Sequence, residues 1–156
     1  MLGLIDELVK DKSQRVAVLG CGSPFRGDDA AGTLIASRLA GLSGRAKAFV
    51  GDVAPENLTG EIKAFQPDLV LVFDAIDLGI RPGELRMFSG SEVTGVSFST
   101  HMLPLRIIIE YLEQETEASV VLLAIQIESL EFMADISAAV NDTVDALVDK
   151  LGALLG

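Results

Sequence analysis

The sequence predicts a three-layer α/β/α sandwich with a sheet of about five mostly parallel strands and helices on both faces. Short apolar runs alternate with segments whose apolar residues recur at helical spacing, which is the pattern of βαβ units. The runs at residues 68–75 and 119–125 are almost continuously apolar, as in strands buried on both faces of a parallel sheet. Since the chain has 156 residues, 49% of them hydrophobic, we expect a single domain over residues 1–156.

The same patterns predict the elements in chain order. Apolar runs and alternation predict strands at residues 15–19, 46–50, 68–75, 83–88, 96–99 and 119–125. Apolar residues at helical spacing predict helices around residues 5–9, 34–42, 62–65, 105–112 and 136–155. Glycine and proline mark several boundaries: Gly41 and Gly44 mark the end of the second helix, and Pro104 suits the first turn of the fourth.

Charge and composition exclude several classes of protein. Twelve Lys and Arg against 23 Asp and Glu give a net charge of −11, which repels nucleic acid and anionic lipid, so we expect neither as a partner. We also expect a cytoplasmic protein, because the first twenty residues lack a signal-peptide core and the longest apolar run, 120–125, is too short for a membrane span. One cysteine, Cys21, and one histidine, His101, exclude an internal disulfide and a metalloprotease H-E-x-x-H motif.

A glycine-rich loop follows the first predicted strand, with the sequence "GCGSPFRGDDAAG" at residues 20–32. Gly22 and Gly27 keep the G-x-x-x-x-G spacing of an ATP-binding loop. Where that loop carries a lysine and a hydroxyl, however, this chain has Asp28 and Asp29. Two carboxylates repel a triphosphate and attract a cation, so the sequence favours a cation near this turn.

Polar residues follow three of the predicted strands. They are Asp28 or Asp29 after the first strand, Asp74 after the third, and His101 after the short strand that ends near Ser99. In parallel α/β sheets, ligands gather beyond the carboxyl ends of the strands. Two carboxylates and one imidazole there would form a three-ligand site for a borderline divalent cation such as Zn or Ni, with positions left open for a substrate or water.

Each of these residues also has a structural interpretation. Asp28 or Asp29 can cap the helix that follows, and Asp74 can accept hydrogen bonds from neighbouring loop amides. His101 can be a hydrogen-bonded structural residue. Cys21 is most simply a small buried side chain, and its functional alternative is a nucleophile paired with His101.

Four separated blocks resemble the endopeptidases that mature [NiFe]-hydrogenases. They are "GCGSPFRGDDAAG" at 20–32, "DVAPENL" at 52–58, "LVFDAIDLGIRPGELRMF" at 71–88 and "STHMLPL" at 99–105. The blocks agree in order and spacing, and the resemblance runs from about residue 15 to 150. Some positions depart from the family pattern: Ser23 stands where relatives commonly have Asn, and the usual Gly-Ile-Gln-Pro run appears as Ala-Ile-Gln-Ile at residues 124–127, followed by "ESLEFMADISAAV" in place of the usual proline and aromatic residues.

The resemblance implies an enzyme that removes a short C-terminal extension from the hydrogenase large-subunit precursor after nickel insertion. It implies that Asp29, Asp74 and His101 are both the metal-contacting and the catalytic residues. The nickel would be supplied by the precursor, and Zn or Cd could occupy the site in vitro. The departures near residue 127 leave the recognised precursor open.

Two alternative functions remain at this point. A nucleotide-binding module expects an acid about twenty residues after the glycine loop to hold a ribose, and Asp52 lies 52 − 32 = 20 residues beyond Gly32. A non-catalytic nickel-binding adaptor would use the same three ligands as the enzyme.

Overall fold

The computed structural model describes residues 2–95 and 103–156. The strands of this part are β1 (Val16–Cys21), β2 (Ala46–Asp52), β3 (Leu69–Ile76), β4 (Leu85–Ser89) and β5 (Ser119–Gln126). The α-helices are α1 (Gly3–Leu8), α2 (Ala31–Arg38), α3 (Thr59–Phe65), α4 (Gly90–Gly95), α5 (Leu103–Glu115) and α6 (Ala138–Leu155). Short 3₁₀ helices at Gly27–Ala30 and Pro55–Leu58 precede α2 and α3. The strand predicted at 96–99 lies outside the described residues.

The described strands form one sheet in the order β2-β1-β3-β5-β4. β2, β1, β3 and β5 pair in parallel, and β4 runs antiparallel to β5 at one edge. The predicted fold class, a mostly parallel sheet in an α/β sandwich, is therefore confirmed. From β1 the chain moves to one side to form β2 and then returns to the other side to form β3. This reversal creates a switch point between β1 and β3, where ligands of open α/β sheets bind.

Two apolar cores lie on the two faces of the sheet. In β1, Val16 and Val18 face the core formed with α1, α2 and α6, whereas Ala17 and Leu19 face the core formed with α3, α4 and α5. Because successive side chains of a strand point to opposite faces, a strand covered on both faces must be apolar at nearly every position. This requirement explains the continuous apolar runs of β3 and β5.

The longest described helix, α6, contributes one buried stripe to the first core. Its buried residues recur every three or four positions, at Val140, Val144, Leu147, Leu151 and Leu155. The full burial of one such side chain is worth about 1.5–3 kcal/mol, so this face holds the helix against the sheet. Within the described ranges, no helix is both long and apolar enough to cross a lipid bilayer.

Helix α4 was not predicted. Its sequence, Gly90–Gly95, is rich in glycine and hydroxyl residues that favour loops over helices, and its single buried apolar residue, Val93, gives no helical repeat. The turn forms against the second core, where Val93 is fully buried. Tertiary packing therefore stabilises a helix in a segment whose local propensities favour a loop.

Close packing of α2 on the sheet depends on Gly32. A Cβ atom at this position would overlap the backbone carbonyl oxygens of Cys21 and Phe73. We expect Gly32→Ala to lower the free energy of unfolding by about 3 kcal/mol, because the overlapped atoms belong to the central strands and cannot move aside. Urea unfolding measures this loss.

Gly60 in α3 is the matched control, since a Cβ atom there meets nothing within 4 Å. Gly60→Ala should raise the free energy of unfolding by about 0.5–1 kcal/mol, the ordinary gain of alanine over glycine in a helix. Equal urea midpoints for Gly32→Ala and the unmodified protein would show that α2 does not need this close approach.

Candidate functional site

A pocket of about 260 Å³ opens at the carboxyl ends of β1, β2 and β3. Among the described residues, its lining contains four carboxylates and no lysine or arginine. The lining residues are Cys21, Gly22, Ser23, Asp29, Asp52, Val53, Pro55, Glu56, Asp74, Pro104, Leu105 and Ile108. The carboxylates make the pocket anionic, so it attracts a cation and repels phosphate groups, and α5 contributes an apolar wall beside them.

Asp29 reaches this pocket from the 3₁₀ turn before α2. Its Oδ2 accepts a hydrogen bond of 2.8 Å from the backbone N–H of Ser23. Gly22 makes this closure possible, because it has a φ of +124° and any Cβ atom there would overlap the Asp29 carbonyl oxygen. The Thr33 hydroxyl holds the same loop by donating to the Gly22 carbonyl at 2.7 Å. The glycine loop therefore fixes a carboxylate at the position where a phosphate-binding loop would hold an anion.

Asp74 reaches the same pocket from near the end of β3. Its Oδ1 accepts a hydrogen bond of 2.9 Å from the Ala75 N–H. Burial, and then the charge of Asp29, raise the pKa of Asp74 to about 8. The structure thus brings two of the three predicted site residues, Asp29 and Asp74, into one pocket at the switch point between β1 and β3.

His101, the third predicted site residue, lies outside the described residues. Within residues 2–95 and 103–156, no group of three or more His, Cys, Asp or Glu side chains could hold a metal ion. Among the described residues of the lining, Pro104 stands three positions after His101 in the sequence. A three-ligand site formed by Asp29, Asp74 and His101 stays a prediction.

Asp28 has a different role from Asp29. It is fully buried, and its carboxylate accepts hydrogen bonds from the backbone N–H groups of Glu128 (2.7 Å), Ser129 (3.0 Å) and Ser137 (2.7 Å) and from the Ser137 hydroxyl (3.0 Å). The interpretation of Asp28 or Asp29 as a cap of the following helix was wrong, because neither the 3₁₀ turn nor α2 has a side-chain cap. Asp28 instead ties the glycine loop to the segment between β5 and α6.

Cys21 ends β1 and lines the pocket. Burial, followed by the charges of Asp74, Asp29 and Glu56, raises the pKa of the Cys21 thiol well above its ordinary value. A thiol in this environment stays protonated at neutral pH and is a poor nucleophile. The structure therefore favours the small buried side chain over the nucleophile that sequence reasoning had left open.

Asp52 and Glu56 are pocket residues that sequence reasoning did not assign to the cation site. Asp52 ends β2 beside β1, and Glu56 lies on the following 3₁₀ turn. The available signal was their position in "DVAPENL", directly after a strand that neighbours β1. Asp52 was considered as a ribose ligand, but it shares the pocket with three other carboxylates, which oppose a pyrophosphate.

Comparison with known proteins identifies the family of this chain. Residues 50–153 match the family described as HycI, hydrogenase maturation protease. A putative hydrogenase maturation protease of Methanocaldococcus jannaschii is 31% identical over 157 residues, which cover 95% of this chain and 91% of that protein. The hydrogenase 3 maturation protease of Escherichia coli K12 is 31% identical over 137 residues, covering 86% of this chain and 87% of the relative.

Solved structures give the same result. The crystal structure of a [NiFe] hydrogenase maturation protease, HycI, from Thermococcus kodakarensis superposes with a TM-score of 0.87 at 33% identity, covering 97% of this chain and 98% of that one. A crystal structure of the hydrogenase 3 maturation protease gives a TM-score of 0.77 at 28% identity, covering 94% of each chain. The family resemblance predicted from the four sequence blocks is confirmed. The chain belongs to the hydrogenase maturation protease family and is an endopeptidase of that family.

Proposed function

We propose that this endopeptidase removes the C-terminal extension of the nickel-loaded [NiFe]-hydrogenase large-subunit precursor. The observation that supports the proposal is the shared pocket of Asp29 and Asp74, which lies at the switch point of the sheet in a chain of the maturation protease family. A pocket with four carboxylates attracts a divalent cation and repels the nucleotide of the alternative function.

The nickel in this proposal belongs to the substrate. Asp29 and Asp74, with His101 as the third ligand, bind the nickel that the precursor brings and so anchor the adjacent tail. The bound nickel polarises the scissile carbonyl or positions a water. A divalent cation also relieves the repulsion between the two carboxylates, which makes the pocket selective for a metal-loaded tail over a metal-free one.

The pocket also indicates which groups do not act on the peptide bond. Asp28 is unsuited to act as a general base, because its carboxylate is buried and accepts four hydrogen bonds from the loop before α6. Cys21 is unsuited to act as the nucleophile, because its thiol stays protonated. Attack by a water positioned at the proposed ligands requires neither of these two groups.

Nickel-loaded and nickel-free precursor, incubated separately with the purified protein, should behave differently. We expect only the nickel-loaded precursor to lose its C-terminal extension, as measured by intact-protein mass spectrometry. Nickel-dependent binding with an unchanged precursor mass would instead identify a nickel-binding adaptor. Equal cleavage of both precursors would contradict recognition through the metal.

A further inference from the structure

Two neighbouring loops expose a group of large apolar side chains beside the pocket. We call this group the apolar loop patch and define it as Phe25, on the loop after β1, with Leu130, Phe132 and Met133, on the loop between β5 and α6. Phe25 is 60% exposed, Phe132 and Met133 are each 69% exposed, and Leu130 is 39% exposed. Large apolar side chains grouped on a protein surface mark an interaction site more often than they serve the fold.

The backbone of the apolar loop patch is held in place from both sides. The Met133 N–H donates to the Phe25 carbonyl at 2.7 Å, and the Asp28 N–H donates to the Ser129 carbonyl at 2.9 Å. Gly27, with a φ of +55°, permits the close approach, since a Cβ atom there would lie 2.7 Å from the Ser129 carbonyl oxygen. The buried Asp28 carboxylate adds its four hydrogen bonds to the same junction.

Such a junction orders the loops before any partner arrives. Met133 itself has a φ of +66°, a conformation that costs a non-glycine residue free energy and that surrounding contacts must maintain. A surface ordered in advance loses less conformational entropy when it binds. The structure thus uses a buried carboxylate and a strained backbone to present side chains that add little to the core.

The glycine loop after β1 carries residues of both the candidate site and the apolar loop patch. Ser23 lines the pocket and donates its N–H to Asp29, and Phe25 follows two residues later on the same loop. Asp28, which holds the patch, is adjacent to Asp29 in the same 3₁₀ turn. A substrate whose tail occupies the pocket therefore approaches the loop that carries Phe25.

The charge around the apolar loop patch indicates which partner it fits. The loop between β5 and α6 carries three acids, Glu128, Glu131 and Asp135, whereas the loop after β1 carries one basic residue, Arg26. The chain as a whole carries a net charge of −11. Facing two copies of this acidic surface against each other would bring like charges together, which disfavours self-association. A partner with an apolar surface and a basic rim fits both the side chains and the charge.

We propose that the apolar loop patch docks the folded body of the hydrogenase large-subunit precursor through an apolar surface with a basic rim, while the precursor tail enters the pocket. The proposal rests on the proposed function for the identity of the partner. It assigns recognition of the precursor body to residues outside the cation site.

The test compares a double variant, Phe25→Ser with Phe132→Ser, with the unmodified protein on nickel-loaded precursor. The double variant should raise KM by roughly tenfold or more, because exposed aromatic anchors supply much of the binding energy of an interface. It should leave kcat within about twofold, since the patch lies outside the proposed ligand set. Phe132→Leu, which keeps an apolar side chain, should keep most of the affinity.

Leu4→Ser is the matched control. Leu4 is 47% exposed on α1, a helix joined to the late part of α6 by the ion pair of Asp6 with Lys150. The patch lies elsewhere, because Asp28, which holds its loops together, binds Ser137 at the beginning of α6. Leu4→Ser should leave both KM and kcat unchanged. Melting temperatures of all variants within a few degrees of the unmodified protein exclude a loss of fold as the cause.

A binding measurement separates this proposal from the proposed activity. The same patch substitutions in an Asp74→Asn background should weaken the Kd for precursor by roughly tenfold, whether or not cleavage occurs. Binding without cleavage by the unmodified protein overturns the proposed activity alone. An unchanged KM and Kd in the patch variants overturns the docking proposal. A patch-dependent dimer in sedimentation, with precursor binding unchanged, also overturns it.

Discussion

Asp74→Asn is expected to reduce cleavage of nickel-loaded precursor by more than about a hundredfold, because it removes one charged ligand from the proposed nickel site. Asparagine has the shape of aspartate and can still accept the hydrogen bond from the Ala75 N–H, so the local backbone stays in place. His101→Ala is expected to cause a similar loss. The rate of precursor processing, measured by mass spectrometry, tests both variants.

The fold of the Asp74→Asn variant should be at least as stable as that of the unmodified protein. The folded free protein keeps the Asp74 proton up to a pKa of about 8, whereas the unfolded chain releases it near the ordinary value of 3.8. A raised carboxyl pKa makes stability fall as pH rises between these two values. Asparagine has no proton to release and so removes this fall in stability. At pH 7 the variant should give the circular dichroism spectrum of the unmodified protein and a melting temperature equal to or higher than that of the unmodified protein.

Asp77→Asn is the control for the activity measurement. Asp77 follows β3 but does not line the pocket, and its carboxylate accepts hydrogen bonds from Gly79 N–H and from the Gln126 side chain. Its replacement should change the cleavage rate by less than about twofold, as expected for a polar residue outside the proposed ligand set. Normal processing by both Asp74→Asn and His101→Ala would show that the assigned residues do not bind the substrate's nickel.

Asp28→Ala is expected to lower the free energy of unfolding by about 3–5 kcal/mol, the largest stability loss among the variants considered. The substitution leaves three backbone N–H groups and the Ser137 hydroxyl without their buried acceptor, at about 1–3 kcal/mol for each group that water cannot reach. For a domain of this size, the loss corresponds to a melting temperature lower by about 10 °C. Thermal and urea unfolding measure it.

Asp11→Ala is the matched control, because Asp11 is exposed and accepts hydrogen bonds from the Ser13 N–H and hydroxyl. Its replacement should change the melting temperature far less, since water can replace the lost bonds. Similar losses in the two variants would contradict the assignment of Asp28 as a buried junction.

The pH dependence of stability in acid gives a second test of the role of Asp28. Burial alone would raise the pKa of Asp28, but the backbone hydrogen bonds from Ser137, Glu128 and Ser129 and the Ser137 hydroxyl outweigh it and hold the pKa below its ordinary value. The resulting stability is fully present above the ordinary carboxyl pKa and is lost as pH falls through the lowered folded value. The difference in stability between the unmodified protein and Asp28→Asn should therefore shrink below about pH 4.

The sequence was sufficient to predict the sheet because burial on both faces leaves a local trace. Strands β3 and β5 are apolar at nearly every position, and the predicted ranges 68–75 and 119–125 differ from the observed ones by a single residue at their ends. Helix α4 left no such trace, because one buried residue, Val93, makes no periodic pattern. Elements that bury many regularly spaced apolar residues can be predicted from the sequence, whereas an element that buries a single apolar residue cannot.

The roles of the two adjacent acids show the same limit at the site. Local reasoning offered a helix cap for one of them, yet the partners of Asp28 lie at residues 128–137, about a hundred positions along the chain. No local rule identifies a carboxylate that joins two distant loops. The apolar loop patch was hidden for the same reason, since its residues come from two loops that meet only in the folded chain.

By itself, the sequence determined that the carboxyl ends of β1 and β3 carry acids, because strand periodicity and the glycine loop place Asp29 and Asp74 after buried apolar runs. Only the tertiary structure decided that β1 and β3 are neighbours, so that both acids line one pocket, and that Asp28 turns away to a buried junction. The physical reason is that periodicity records which side chains are buried, whereas strand order and loop contacts depend on residues far apart in the chain.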